Sequence, residues 1–270
     1  MQRLIRQIAT FLGFLSAPTY RYPAVDVALA QARRFHLVGS IHMGTVDMSP
    51  LPHDLLTRLE QANALVVEAD ISDNDSPFSE LPPEPPLAER LDSETCQQLE
   101  QLCQTLSFGY QNLDRVPAWQ AALMLQARQA MMLGLRPDYG IDYQLINAAK
   151  DSGIAIIELE GQQTQLELLQ QLPHGGLALL EDTLAHWHTN ARLLQTMVSW
   201  WIDQKPMRAD NVPATFSNDL THMLIQHRNE QWQQQLAALP QGKYVVSVGA
   251  LHLYGEHNLP DLLRSAAHIR

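Results

Sequence analysis

The sequence predicts an α/β protein in which one sheet holds two related strand–loop–helix units and helices surround it. Three observations predict this. A detailed pattern recurs near the two ends of the chain, two further apolar runs end in carboxylates, and most of the remainder has helical periodicity.

The repeat is the most specific of the three. Residues 35–56 read FHLVGSIHMGTVDMSPLPHDLL and residues 244–263 read YVVSVGALHLYGEHNLPDLL. Each copy has an aromatic start, an apolar run, Gly-x-x-His, a further glycine, and Leu-Pro followed by Asp-Leu-Leu. Copies about two hundred residues apart cannot stack as neighbours in a solenoid, so one sheet carrying both is the economical arrangement. The runs 35–38 and 244–248 suit buried strands. Gly39 and Gly249 permit close backbone approach or unusual φ where the strands end. His42 and His252 then fall just past the strands, where α/β folds commonly place ligand sites. Pro52 and Pro260 fit the first turn of the helix that follows, where no hydrogen bond is lost.

The runs 64–68 and 154–160 read as strands ending at Glu68, with Asp70 just beyond, and at Glu160-Gly161. In a parallel sheet, neighbouring strand ends would gather two histidines and two glutamates at one edge. Helices are expected near 53–63, 93–106, 117–134, 140–152, 162–171, 178–201, 216–238 and 260–268. Asp92 or Ser93 can cap the second, and Asp142 sits in the opening turn of the fourth, where the helix dipole favours an acid. Residues 72–88 are acidic and carry Pro77, Pro82, Pro83, Pro85 and Pro86. Such fixed φ angles and missing donors forbid regular structure, giving a surface loop or linker, with a lid over the site as the alternative. Residues 35–270 are read as a single domain. Residues 1–34 are read as an N-terminal extension, helical and packed on that domain. A signal peptide is a poor reading, because Arg6 and Gln7 interrupt the apolar stretch and no small-x-small cleavage site follows. The expected location is therefore cytoplasmic, with the periplasm as the alternative.

Composition narrows the function. A net charge of -11 repels nucleic-acid phosphates and argues against that class of partner. No run reaches the ~18 apolar residues of a spanning helix. The two cysteines, Cys96 and Cys103, lie two helical turns apart, roughly 10 Å, too far to bridge. No Gly-x-Ser-x-Gly elbow or phosphate-binding lysine loop is present, although Ser40 beside His42 keeps a serine nucleophile open. His186 with His188, and His222 with His227, have spacings poorly suited to joint ligation. Trp119, Trp187, Trp200 and Trp201 are assigned to core or interface; an interface would make a homodimer.

The ordered set Gly39-Ser-Ile-His42, Leu65-Val-Val-Glu68-Ala-Asp70, Gly140-Ile-Asp142, Leu159-Glu160 with Gln165, Arg228-Asn229 and Gly249-Ala-Leu-His252-Leu-Tyr-Gly255-Glu256 resembles the TraB/GumN family, which includes the Tiki-type metalloproteases. The resemblance covers nearly all of the chain from Phe35 onward and is closest to enterobacterial members. It implies a mixed α/β fold and a site built from His42, His252, Glu68 and Glu160. It also implies a divalent metal, manganese or cobalt, and peptidase chemistry; the wider superfamily includes haem-binding and erythromycin-esterase-like proteins.

Imidazole and carboxylate ligands suit manganese, cobalt, zinc or iron alike. The expected function is a metal-dependent hydrolase, a peptidase or amidase, in which the ion activates water and a glutamate not used as ligand is the general base. Arg228 is expected to stabilise developing charge or to anchor a carboxylate of a peptide or small-molecule substrate. Asn229, Tyr254, Glu256 and Asp142 are the candidate binding residues. Two blander readings stay open: the histidines anchor loops by hydrogen bonds, and the glutamates make structural ion pairs with Arg228. A binding protein that uses the same cleft for a peptide, haem or small ligand is the alternative function.

Overall fold

The computed structural model describes residues 20–72, 81–203 and 216–267; residues 1–19 of the expected helical extension lie outside them. The described strands are β1 (Ala24–Leu29), β2 (Arg33–Ser40), β3 (Ala64–Val67), β4 (Ala155–Glu158) and β5 (Gly242–Gly249). They form one sheet in the order β1-β2-β5-β3-β4. β2, β5, β3 and β4 run parallel and β1 pairs antiparallel with β2, so the sheet is mixed. The described helices are α1 (His53–Glu60), α2 (Ser93–Thr105), α3 (Ala118–Met132), α4 (Ile141–Asp151), α5 (Gly161–Gln170), α6 (Leu177–Ala185), α7 (Trp187–Ile202), α8 (Asn218–Thr221), α9 (His227–Ala238) and α10 (Leu259–Ala267).

The sequence repeat becomes two adjacent parallel strands. β2 and β5 pair with Ser40 opposite Gly249, and the copies continue into α1 and α10. Both sheet faces are covered, which explains the near-continuous apolar runs of the parallel strands. On one face, Val38, Leu65, Val67 and Val245 pack against Leu55 and Leu59 of α1 and Leu145 and Ile146 of α4. On the other, Leu37, Val66 and Val246 meet Trp232 and Leu236 of α9 and Leu259 and Leu263 of α10. A separate helical cluster gathers Leu99 and Cys103 of α2, Trp119 and Leu125 of α3, and Leu179 and Leu180 of α6. Asp92 caps α2 by accepting from the Thr95 N–H at 2.8 Å.

Several expectations need correction. Residues 24–29, placed in a helical extension, form edge strand β1 instead: Val25 and Val27 alternate with Asp26 and Ala28, and Val27 is buried. The helix expected over 178–201 is two helices, broken at His186 (φ -103°, ψ 17°). Periodicity misses such a break because α6 and α7 continue the same mixture of residues on either side. The helix expected over 216–238 contains one turn of π-helix at His222–Gln226. Leu87, within the proline-rich stretch, is fully buried in the helical cluster beside a short 3-10 turn, so this part of the stretch is anchored. Trp119, Trp200 and Trp201 are buried within the chain, the core assignment of the two. Cys96 and Cys103 are both free thiols. Among the described residues no helix is long and apolar enough to cross a membrane.

Candidate functional site

The parallel strands deliver the site at their C-terminal ends. Glu68 follows β3, Glu160 follows β4, and His42 and His252 follow β2 and β5. Two glycines set the backbone that aims them. At Gly140, before α4, a Cβ would fall 2.3 Å from the His42 carbonyl oxygen. Glycine therefore lets α4 start against the His42 loop, where the Ile141 N–H donates to the Ile41 carbonyl at 3.0 Å. At Gly161 the chain takes φ +80°, a left-handed conformation that costs other residues roughly 1–2 kcal/mol. The Glu160 and Gly161 N–H groups both donate to the Glu68 carbonyl oxygen at 3.0 Å, which joins the two acidic strand ends.

Arg228 occupies the centre of the acidic pair. Its Nε and one terminal nitrogen donate to the two oxygens of Glu160, each at 2.8 Å. The same terminal nitrogen donates to Glu68 Oε2 at 2.6 Å. The other terminal nitrogen donates to the Leu224 carbonyl at 3.2 Å, within the π turn that precedes α9. The guanidinium also lies over the Trp232 ring, 4.6 Å from its centroid. Glu68 Oε1 accepts from the Gly249 N–H at 2.6 Å, and Gln165 donates to Oε2 at 3.3 Å. Burial alone would raise the Glu68 carboxyl, but Arg228, helped by His252, His42 and the Gly249 N–H, holds it down at about 2.

The two histidines have opposite surroundings. His42 is exposed at the mouth of the site, and its Nδ1 is hydrogen-bonded to Oδ2 of buried Asp142. The charge of Asp142 outweighs desolvation and pushes the imidazole up to about 9. His252 is buried, and its Nδ1 lies 2.8 Å from Asn229 Oδ1. Its Nε2 faces Arg228 at 3.4 Å, and its ring packs 4.4 Å from that of Trp232. Burial, reinforced by Arg228, pushes His252 down to about 3. The neutral ring donates from Nδ1 to Asn229, whose amide donates in turn to the His257 carbonyl at 3.0 Å.

Between the His42 and Glu68 halves lies a cavity of about 20 Å³ lined by Ser40, His42, Glu68, Asp142, Gln165 and Ser247. That volume suits about one water. Two of these residues carry buried oxygens without a hydrogen-bond partner among the described residues, Asp142 Oδ1 and Ser247 Oγ. Unsatisfied buried oxygens beside a polar cavity mark a place for a small polar molecule.

The profile of the TraB/PrgY/gumN family matches residues 27–268. The chain belongs to the TraB/PrgY/gumN family. It is 51% identical over 262 residues to the uncharacterized protein YbaP of Escherichia coli (strain K12), which covers 97% of this chain and 99% of that protein. The uncharacterized YbaP of Shigella flexneri is 50% identical over the same shares. No solved structure matches the chain.

Within this TraB/PrgY/gumN chain, the structure gathers His42, Asp142, Glu68, Glu160, Arg228, Asn229 and His252. It does not gather all the expected residues. Glu256 is exposed and has no hydrogen bond or ion pair among the described residues. Tyr254 packs against Trp200, 6.0 Å between ring centroids, away from the cluster. Asp70 pairs with Lys150 at 2.9 Å instead of joining Glu68. Arg228 has both glutamates as ion-pair partners in this arrangement.

The metal implied by the TraB/GumN resemblance can be tested on the donor set. Both oxygens of each glutamate already accept hydrogen bonds, and the cation they share is the guanidinium. Among the described residues no group of three or more His, Cys, Asp or Glu side chains is placed to hold a metal ion. As arranged, these residues do not fit a divalent ion. The ion pairs left open as an alternative by the sequence are the ones observed.

Two participants escaped sequence reasoning. Trp232 donates from Nε1 to Glu160 at 3.0 Å; its spacing of four from Arg228 on one helix was the available signal. Ser247 carried none, being one small residue inside a valine-rich strand.

Proposed function

We propose that the chain is a hydrolase that adds water to an amide or ester carbonyl by acid–base chemistry, using His42, Asp142 and Glu68. The observation that carries this reading is the water-sized cavity between His42 and Glu68, with its unpartnered Asp142 and Ser247 oxygens. A peptide-like substrate is the class favoured by the resemblance to Tiki-type peptidases.

The water oxygen attacks the substrate carbonyl carbon while Asp142 Oδ1, the cavity oxygen left unpartnered among the described residues, takes the water proton. His42, kept as imidazolium by Asp142, gives the proton on Nε2 to the leaving nitrogen or oxygen as the bond to carbon breaks. One water is consumed, a carboxylic acid and an amine or alcohol leave, and the Asp142 proton passes back to His42. Each correctly placed acid or base contributes about 10²–10⁴-fold. Glu68 and Arg228 are positioning residues: Glu68, held ionised by Arg228, orients the water, and Arg228 fixes both glutamates. His252 and Asn229 brace Arg228 from behind.

The test is hydrolysis of peptide and ester libraries by the full chain, with and without chelator and with added manganese, cobalt or zinc. The reading expects turnover that survives chelator and falls at least 100-fold in His42→Ala and Asp142→Asn proteins that remain folded. Turnover that requires an added metal would replace this mechanism with the metal-dependent one. Undiminished turnover by His42→Ala would overturn it, as would no turnover of any substrate by folded wild type.

A further inference from the structure

The opposite end of the sheet carries a second cavity, of about 460 Å³, where β1, β2 and β5 meet the end of α1. Small-molecule sites commonly measure about 300–1,000 Å³. Arg34, the second residue of β2, and Ser40, its last, lie about 20 Å apart at the rise of an extended chain. A molecule bound here therefore does not touch His42.

The charge of this cavity runs against that of the molecule. The chain has a net charge of -11, yet Arg34, Arg58 and Lys243 all line this one cavity. Arg34 and Lys243 are direct register partners on β2 and β5. Like charges placed directly opposite in a sheet repel, and neither side chain has a hydrogen bond or ion pair among the described residues. Asp26 is the sole carboxylate on the described wall and is engaged elsewhere. It is bonded to His36 Nδ1 at 2.7 Å and accepts from the Tyr20 hydroxyl, and it makes a loose ion pair with Arg58 at 4.0 Å, too long for a hydrogen bond. Arg58 lies over the Tyr20 ring, 4.8 Å from its centroid, a stacking that leaves guanidinium N–H edges free to bind. Buried His36 closes the floor, held on its other side by the Tyr22 hydroxyl at 2.9 Å.

We propose that this cavity is a binding site for a small molecule bearing a phosphate or carboxylate group, held by Arg34, Arg58 and Lys243. The anion relieves the Arg34–Lys243 repulsion and supplies the acceptor atoms that the described residues withhold from Arg34 and Lys243. Guanidinium groups match both kinds of anion with paired hydrogen bonds.

The experiment is calorimetric titration of the full chain with inorganic phosphate and, separately, with citrate, at constant ionic strength set by sodium chloride. The proteins compared are wild type, the double variant Arg34→Gln/Lys243→Gln, and Arg192→Gln, which removes an exposed cation from α7. Saturable binding of at least one anion is expected to wild type and Arg192→Gln, and at least tenfold weaker binding to the double variant. Preference for phosphate assigns the ligand to phosphorylated molecules; preference for citrate assigns it to carboxylates. The double variant loses a repulsive pair, so its fold should survive, and its unliganded melting curve checks this. No saturable binding of either anion to wild type, or equal binding to the folded double variant, overturns the proposal.

Discussion

His42 and His252 end two copies of one sequence pattern, on neighbouring parallel strands, yet the fold gives them opposite chemistry. After β2 the chain runs on to Gly44, which bridges to Arg136, and leaves His42 at the surface with Asp142 beneath it. After β5 the chain turns at once into the 3-10 turn Ala250–Leu253, which buries His252 under Trp232. One imidazole gains a carboxylate and the other gains Arg228 as a neighbour. A motif therefore fixes where a side chain stands, and its neighbours fix its charge.

The comparison breaks most severely at Arg228. Arg228→Met should leave two carboxylates facing one another without their shared cation, and breaking a buried pair in this way costs about 3–5 kcal/mol. Denaturant unfolding of the variant measures it; a loss below about 1 kcal/mol would mean that Arg228 does not hold the two acids. Gly140→Ala strikes the other half alone, because its Cβ meets the His42 carbonyl. It should cost about 1–3 kcal/mol and detach Asp142 from His42, while the His252 resonances stay in place.

A third prediction concerns pH. His42 is raised above its ordinary value of 6.5, so its contribution to stability is full below 6.5 and is lost as pH rises through about 9. His252 is depressed, so its contribution is present above 6.5 and is lost as pH falls toward about 3. Stability measured across this range should decline on both sides, and Asp142→Asn should flatten the alkaline side only. A decline on the alkaline side that Asp142→Asn leaves unchanged would assign it to another group. The smallest effect is expected at Ser247→Ala. Its hydroxyl has no hydrogen-bond partner to lose among the described residues, so stability should move by less than about 0.5 kcal/mol. A larger loss would show that the hydroxyl holds a bound molecule in the cavity.

Much of this arrangement was legible in the sequence, and the illegible part has a physical reason. The duplicated Gly-x-x-His and the strand-end acids located His42, His252, Glu68 and Glu160 because strand ends and turn glycines are local features. The Asp142 contact was hidden, since it spans 100 residues and depends on Gly140 admitting one backbone to another. Carboxylates attract a guanidinium and a metal ion alike, so residue types could not say which cation stands between Glu68 and Glu160. Strand β1 was missed because AVDVAL is short and apolar at all but Asp26, so no clean alternation marks it as an edge strand. Tyr254 and Glu256 were chosen for nearness to His252 in sequence, and the turn after β5 carries them elsewhere.

The most direct test of this account is the NMR titration of the two imidazoles in folded, full-length protein, assigned with His42→Gln and His252→Gln. The account predicts His42 still an imidazolium at pH 8, and His252 neutral with its proton on Nδ1 down to pH 5. Two histidines titrating together near the ordinary value would contradict it.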